Sequence, residues 1–175
     1  KFLLSLFEKK YIEKYLDVGC FHPTKHNNTL LFYKNGWQGI NIDLNPLTID
    51  LFNFMRPKDI NINTAVSSEE TEKTLFFLDE RNTQNTLSEN QLIFLKNHHN
   101  IKDEEIIKKK IQTRRLDKIL EENNFKDIDF MNLDVEGHES EVLKTIDFKK
   151  IKIRYICIEM IKHNDLSIKN SNQIL

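Results

Sequence analysis

The sequence predicts an α/β fold with a mostly parallel, doubly wound central sheet and helices on both of its faces. Short apolar runs that are typical of buried strands alternate along the chain with segments of helical apolar spacing. Acidic residues lie at or near the ends of four of these runs: Asp17, Asp43, Asp134 and Glu159. Because the carboxyl ends of parallel strands meet at one edge of a sheet, these acids are expected to surround one site.

Length and composition favour a single domain, 1–175, of a water-soluble protein with 39% hydrophobic and 30% charged residues. The apolar runs fall short of the ~20 residues that cross a bilayer, so no membrane span is predicted. The formal net charge of -1 argues against nucleic acid as a partner. Cys20 and Cys157 lie in separate predicted strand regions without CxxC spacing, which indicates a reducing compartment and predicts a cytoplasmic location.

The predicted elements follow in chain order: an N-terminal helix within 1–13, strand 15–19, helix 29–34, strand 39–43, helix 46–55, strand 60–66, strand 74–78, helix 116–123, strand 128–133, helix 139–146 and strand 153–160. The N-terminal segment is assigned as a core-packing helix because it lacks the basic leader and the cleavage site of a signal peptide. Pro46 suits the first turn of the helix that it begins. The strand 74–78 is expected to be an antiparallel addition.

Residues 79–112 are polar and rich in Asn, and they are predicted to be a substrate-side insertion, since long loops in compact domains usually serve function. Within and just after this stretch, acids at 103–105 precede bases at 108–110 and 114–115. Acids that open a segment and bases that close it are typical of a solvated helix, because they complement the helix dipole. A helix is therefore predicted here in preference to a nucleic-acid patch.

The acids after the strands suit a nucleoside ligand. In nucleoside-binding sheets an acid after the second strand accepts the ribose hydroxyls, and a glycine after the first strand lets the ligand approach the backbone. Asp43 and Gly19 fit these two positions. The four glycines, at 19, 36, 39 and 137, form neither GxGxxG nor a Walker A loop, so a pyrophosphate cofactor lacks its usual cradle. A nucleoside cofactor without phosphates, such as S-adenosylmethionine, needs none.

Seven segments between about Tyr15 and Met160 carry a family resemblance through their order and spacing: YLDVGCFHP, NTLLFYKNGWQGINIDLNP, INTAVSS, NTLS, TRRLD, IDFMNLDVEGHESEVL and IEM. Together they resemble the FkbM family of S-adenosylmethionine-dependent methyltransferases. The resemblance implies a Rossmann-like class I methyltransferase fold, S-adenosylmethionine as the cofactor, and methyl transfer to a hydroxyl oxygen of a sugar, glycan or secondary metabolite. Since that fold usually has two more strands after Met160, the C-terminal strands are expected to be missing or shortened.

The resemblance also implies a set of cofactor-binding residues: Asp17, Gly19, Cys20, Thr29, Asp43, Leu44, Asn63 and Ala65. The first three would line the methionine end of the cofactor, with Thr29 nearby. Asp43 would bind the ribose, although the family usually carries Glu there. Leu44 would flank the adenine, and residues 63–65 would close over the base.

Three residues of the DVEGHE segment are the predicted catalytic group: Asp134, Glu136 and His138. The resemblance implies that Asp134 and Glu136 face the sulfonium and the acceptor. A hydroxyl is a weak nucleophile, so a base must take its proton as the new bond forms. Glu136 or His138 is the candidate base, and Asp134 would orient the acceptor or stabilise the sulfonium. An open alternative joins Asp134, Glu136 and Glu159 into a Mg²⁺ site.

Two other functions stay open. One is a catalytically silent cofactor-binding or assembly protein of the same fold, in which strand 153–159 is a bare sheet edge that pairs in a homodimer. The other is a nucleic-acid methyltransferase. It is less favoured because the chain has DVEG where amino-methylating enzymes carry an Asp/Asn-Pro-Pro-aromatic loop, and because it has no Pro-Cys nucleophile.

Overall fold

The structure, a computed structural model, describes residues 13–79, 84–99 and 101–159. The predicted N-terminal helix within 1–13 lies, apart from its last residue, outside the described residues. Within the part described, no helix combines the length and the apolar character that a membrane crossing requires.

The described elements are, in chain order, β1 (Lys14–Val18), α1 (Leu30–Lys34), β2 (Gln38–Asp43), α2 (Pro46–Met55), β3 (Ile60–Asn63), β4 (Ala65–Val66), β5 (Glu72–Phe77), α3 (Glu89–His99), β6 (Ile107–Arg114), α4 (Leu116–Glu122), β7 (Asp127–Leu133), α5 (Glu139–Leu143) and β8 (Lys152–Ile158). A five-stranded sheet has the order β3-β2-β1-β7-β8, and all of its strand pairs are parallel. The prediction of an α/β fold with a mostly parallel central sheet is confirmed.

The core lies on both faces of this sheet because successive side chains of a strand point to opposite sides. In β1, Leu16 and Val18 join an apolar cluster that includes residues of α4 and α5. Tyr15 belongs to a second cluster, with Phe32 of α1. Apolar side chains on both faces allow the strands to be buried completely, and β1 is almost entirely so.

A second, three-stranded sheet has the order β4-β6-β5, with β5 antiparallel to β6. The predicted antiparallel strand at 74–78 is therefore confirmed, with bounds of Glu72–Phe77, but it lies in this smaller sheet. The single strand predicted at 60–66 is wrong in its continuity. It divides at Thr64, so that 60–63 pair with β2 while 65–66 pair with β6.

The charged helix predicted from the acids at 103–105 and the bases that follow is also wrong. Residues 103–105 form one 3₁₀ turn, and the three lysines at 108–110 lie in β6. Pairing with β5 over six residues satisfies the backbone of this segment, and the Lys109 ammonium lies 3.3 Å from the centre of the Phe77 ring. The local charge pattern favours a helix, but the non-local strand pairing decides the structure.

The stretch predicted as an insertion, 79–112, contains a helix that the sequence analysis did not identify, α3. The remaining predictions hold: α4, β7 and β8 lie within two residues of their expected bounds, and α5 ends three residues earlier than expected. The strand pairing and these helices place the ends of β1, β2 and β7 side by side.

Candidate functional site

A cavity of about 470 Å³ opens at the carboxyl ends of the central strands. Its wall includes the residues that follow three of them: Gly19 after β1, Leu44 after β2 and Asp134 after β7. The volume falls in the range of about 300–1,000 Å³ that is usual for small-molecule sites. Of the four acids predicted to surround one site, Asp17, Asp43 and Asp134 line this cavity. Glu159 lies close to Asp134 but is not among the described residues of the wall.

Six of the eight predicted cofactor residues line this cavity: Asp17, Gly19, Cys20, Asp43, Leu44 and Ala65. Thr29 and Asn63 are not among the described residues of the wall. Each contacts a wall residue from behind, since the Thr29 hydroxyl donates to Asp17 Oδ2 at 2.6 Å and the Asn63 amide donates to the Asp43 carbonyl at 3.0 Å. The adjacent Thr64 lines the cavity instead.

The Asp43 carboxylate is held in place by backbone donors. Oδ2 accepts from the N–H of Phe21 at 2.9 Å, and Oδ1 accepts from the N–H of Asn45 at 2.8 Å. Burial raises the pKa of Asp43 to about 6, although these two hydrogen bonds oppose the shift. Because a carboxylate offers about four acceptor positions, both oxygens retain capacity for two hydroxyl groups of a ligand.

Asp17 is fully buried, and its carboxylate joins three segments of the chain. Oδ2 accepts from the Thr29 hydroxyl and, at 3.1 Å, from the Asn27 amide, both in the segment that leads into α1. Oδ1 accepts from the Asn132 amide of β7 at 2.9 Å. Burial raises the pKa of Asp17, and these hydrogen bonds act against that shift. Asp17 therefore holds the cavity wall together as well as lining it.

The backbone conformation at position 19 requires a glycine, whether or not a ligand is bound. Its φ of +78° lies in the left-handed region, and a Cβ there would lie only 1.7 Å from the backbone oxygen of Asp134. The role predicted for Gly19 from the sequence was to let a ligand approach the backbone. In the structure the close neighbour is the end of β7, which meets the end of β1 at this point.

All three predicted catalytic residues, Asp134, Glu136 and His138, line the cavity. A carboxylate oxygen of Glu159 lies within 4.8 Å of one of Asp134. Burial, followed by the neighbouring Glu159, raises the pKa of Asp134. Asp134 therefore holds a proton more tightly than an ordinary aspartate does.

The acids that lie close enough together to share a cation differ from those of the predicted Mg²⁺ site. In the described ranges, the carboxylate oxygens that lie within 4.8 Å of one another belong to Asp134, Glu139 and Glu159, and the predicted Glu136 is not in this group. Oε1 of Glu139 accepts from the N–H groups of Val135 and Gly137 at 3.0 and 3.1 Å. These contacts account for the position of Glu139 without an ion, and we assign no metal site.

Glu136 has an unusual backbone and a perturbed side chain. Its φ of +54° is left-handed, and its carbonyl accepts from the Thr86 hydroxyl at 2.6 Å. Its Oε2 accepts from the Gln91 amide at 3.3 Å. Burial, followed by the charges of Glu159 and Asp134, raises the pKa of Glu136 to about 8. The carboxyl group is therefore largely protonated at neutral pH in the free protein.

His138 has the opposite perturbation. Its ring is 8% exposed, and Nε2 lies 3.0 Å from the Ser67 hydroxyl. Burial, followed by the positive charge of Lys73, lowers the pKa of His138 to about 4. The imidazole is therefore neutral at pH 7, and its affinity for a proton is low.

Sequence reasoning missed Arg56, which is 1% exposed. Its guanidinium donates to the Pro23 carbonyl at 3.1 Å, the Thr29 hydroxyl at 2.9 Å and the Asn27 amide oxygen at 2.6 Å, and it lies 4.8 Å from the centre of the Phe52 ring. These contacts fix the loop between β1 and α1. An arginine before a proline at a helix end carries no local signal of burial, so the sequence offered no way to find it.

Further wall residues come from loops that the sequence left unassigned: His26, Asn85 and Leu87. The last two belong to the stretch 79–112, so part of that stretch reaches the cavity. Thr86 and Gln91, from the same stretch, hold Glu136. The sequence signals for these residues were the length of the loop and the NTLS segment at 85–88, which belongs to the family resemblance but was given no role.

A family model described as the methyltransferase FkbM domain matches residues 17–171. The match covers most of the chain and includes every described residue that lines the cavity. Searches among curated proteins and among solved structures gave no match. The parallel sheet, the acids at its strand ends and the extent of the family match agree, and the chain belongs to the FkbM family of methyltransferases.

Proposed function

We propose that the chain moves a methyl group from S-adenosylmethionine to a hydroxyl oxygen of a sugar, glycan or secondary metabolite. The observation that carries this proposal is the single cavity that joins Asp43, after β2, to Asp134, Glu136 and His138, after β7. No Lys or Arg is among the described residues of its wall, so a phosphate-bearing cofactor would find no cation there. A nucleoside that carries a positive charge suits acidic walls better.

The residues present fit that cofactor. Asp43 offers a carboxylate held by two backbone N–H groups, with acceptor capacity left for the two ribose hydroxyls. Leu44 and Ala65 supply apolar wall for the adenine, and Gly19 and Cys20 lie beside the expected methionine end. When bound, S-adenosylmethionine supplies an electrophilic methyl group on a positively charged sulfur.

Glu136 is the better candidate for the base. A base with a pKa near the working pH is the most effective, and the pKa of Glu136 is raised to about 8 while that of His138 is lowered to about 4. A nearby positive charge favours the ionised carboxylate, so Glu136 would release its proton to solvent when a cationic cofactor occupies the cavity. As a carboxylate, Glu136 would then take the proton of the acceptor hydroxyl. His138 and Asp134, which also line the cavity, remain to orient the acceptor.

The cofactor is tested by isothermal titration calorimetry with S-adenosylmethionine and S-adenosylhomocysteine. We expect both ligands to bind the wild type and Asp43→Ala to weaken them about 10- to 100-fold, because hydrogen bonds to a charged group are lost. Asp50→Ala is the matched control, since Asp50 is an exposed acid on α2 outside the wall. Equal losses in the two variants would refute the role of Asp43.

The catalytically silent alternative has one observation in its favour. In the part of the chain that the structure describes, β8 pairs only with β7, so its other edge has no strand beside it. Failure of both ligands to bind well-folded protein, together with a dimer in sedimentation, would favour an assembly role. Binding followed by methylation of hydroxylated acceptors, detected by mass spectrometry, would support the transferase.

A further inference from the structure

Next to the Glu136 carboxyl lies a buried amide with one unused hydrogen-bonding atom. Gln91, in the first turn of α3, is 3% exposed and does not line the cavity. Its Nε2 donates to Glu136 Oε2 at 3.3 Å, whereas its Oε1 is buried and has no hydrogen-bond partner in the described ranges. A buried carbonyl oxygen without a donor is destabilising, because its lost hydration is not replaced by a hydrogen bond within the protein. Gln91 Oε1 therefore needs a hydrogen-bond donor.

The backbone fixes the two side chains against each other. Thr86 donates to the Glu136 carbonyl, and a Cβ built on Gly137 would lie 3.1 Å from Gln91 Cβ and 3.5 Å from Ser88 Oγ. The start of α3 therefore packs directly on the loop that carries Glu136. The backbones that carry Gln91 and Glu136 are therefore held close together.

The surroundings of Glu136 favour a neutral carboxyl group. The charged groups that act on it in the described structure are all acids: Glu159 and Asp134 after the strand ends, and Glu139 at the start of α5. The facing residue from α3, Gln91, is neutral, and the N–H that it donates to Glu136 opposes the shift by lowering the pKa of Glu136. A protonated carboxyl has an O–H donor, which an ionised one lacks. The donor that Gln91 Oε1 needs is therefore available on Glu136 itself.

We infer that Gln91 is a positioning residue that binds the Glu136 carboxylic acid in the free protein through a reciprocal pair of hydrogen bonds. In this pair the Glu136 O–H donates to Gln91 Oε1 and Gln91 Nε2 donates back to Glu136. An amide serves both protonation states, since its N–H still binds the carboxylate after the proton has left. Gln91 thus keeps the carboxyl group in place while its proton is gained and lost.

A first test needs no cofactor. The carbon-13 resonance of the Glu136 carboxyl, identified by its disappearance in Glu136→Gln, is followed against pH by NMR in the full chain. The inference expects a titration midpoint at about 8. A midpoint in the ordinary range of glutamate, near 4.5, overturns it.

A double-mutant cycle tests the pair of hydrogen bonds directly. Glu136→Gln retains a donor for Gln91 Oε1, whereas Glu136→Leu removes it. With Gln91 present, we expect Glu136→Leu to melt at a lower temperature than Glu136→Gln. With Gln91→Leu this difference should vanish or reverse, because no buried amide is left unpaired. The same difference in both backgrounds contradicts the pairing.

The consequence for cofactor binding rests on the proposed function. Calorimetry at pH 7 in two buffers of different ionisation enthalpy measures protons released on binding. We expect S-adenosylmethionine to release more protons than S-adenosylhomocysteine, whose sulfur is uncharged, and Glu136→Gln to abolish the excess. If neither ligand binds while the double-mutant cycle shows coupling between Gln91 and Glu136, the pair stands and the proposed function fails. If the ligand binds and the cycle shows no coupling, the proposed function stands and the pair fails.

Discussion

Among single residues, Arg56 shows how a buried charge is stabilised without direct contact to an acid. It forms no ion pair with any described residue, and its donors reach neutral oxygens of Thr29, Asn27 and Tyr15. These groups in turn bind the carboxylates of Asp17 and Asp59. The guanidinium of Arg56 is thus linked to two buried or half-buried carboxylates, each through one intervening side chain. The hydrogen-bond network therefore depends on Arg56.

Replacing Arg56 should therefore be costly. We expect Arg56→Met to lower the free energy of unfolding by about 3 kcal/mol or more, as is typical when one partner of a buried charge network is removed. Urea denaturation measures the loss. Lys58→Met is the matched control, because Lys58 is an exposed base two residues away. Similar losses in both variants would show that the network contributes little.

At the scale of elements, the loop between β7 and α5 depends on α3 for its position. Gly137, at the centre of that loop, has a φ of +86° and faces Gln91 and Ser88 of the α3 segment. Gly36, after α1, has the same φ of +86° but has nothing within 4 Å of an added Cβ. The two glycines share a left-handed backbone conformation, which would be strained in any other residue, and they differ in their neighbours.

This difference gives a matched pair of variants. Gly36→Ala should cost about 1 kcal/mol from backbone strain alone. Gly137→Ala should cost more, about 2–3 kcal/mol, and should also weaken cofactor binding, because the added methyl pushes α3 away from Glu136. Thermal unfolding and calorimetry measure the two effects. Equal costs for the two substitutions would indicate that α3 adapts without moving the loop.

At the scale of the whole molecule, the cavity brings together acids whose pKa values are raised by folding. Burial raises the pKa of Asp43 to about 6 and that of Glu136 to about 8. Each binds its proton more tightly in the folded state, so its contribution to stability is lost as pH rises through its folded pKa. His138, with a pKa lowered from 6.5 to about 4, contributes above pH 6.5 and loses that contribution as pH falls.

These signs leave one window in which Glu136 and Asp134 dominate. Between pH 6.5 and 8, Asp43 and His138 have largely completed their titrations, whereas the pKa of Asp134 is raised to about 7 and that of Glu136 to about 8, so the free protein should lose stability with rising pH because of these two acids. Glu136→Gln should reduce the fall of the melting temperature across this window, and Asp134 should account for what remains. The test is calorimetric melting without cofactor, and an unchanged slope in the variant would assign the effect to other groups.

The sequence determined the strands of the central sheet and nine of the residues that line the cavity. Strands such as β7 are apolar runs that break at acids, and this pattern is local, so it can be read without knowledge of the fold. The same pattern located Asp43, Asp134 and Glu136, since parallel strands bring their ends to one edge. The family resemblance depended on these same segments.

Only the tertiary structure decided how distant segments meet. The lysines at 108–110 lie in a strand because β5 pairs with them, and Arg56 is buried because the loop between β1 and α1 closes over it. Gln91 reaches Glu136 across 45 positions of sequence. Such contacts form because non-local pairing and burial outweigh local propensity. A single sequence carries no local pattern that predicts them.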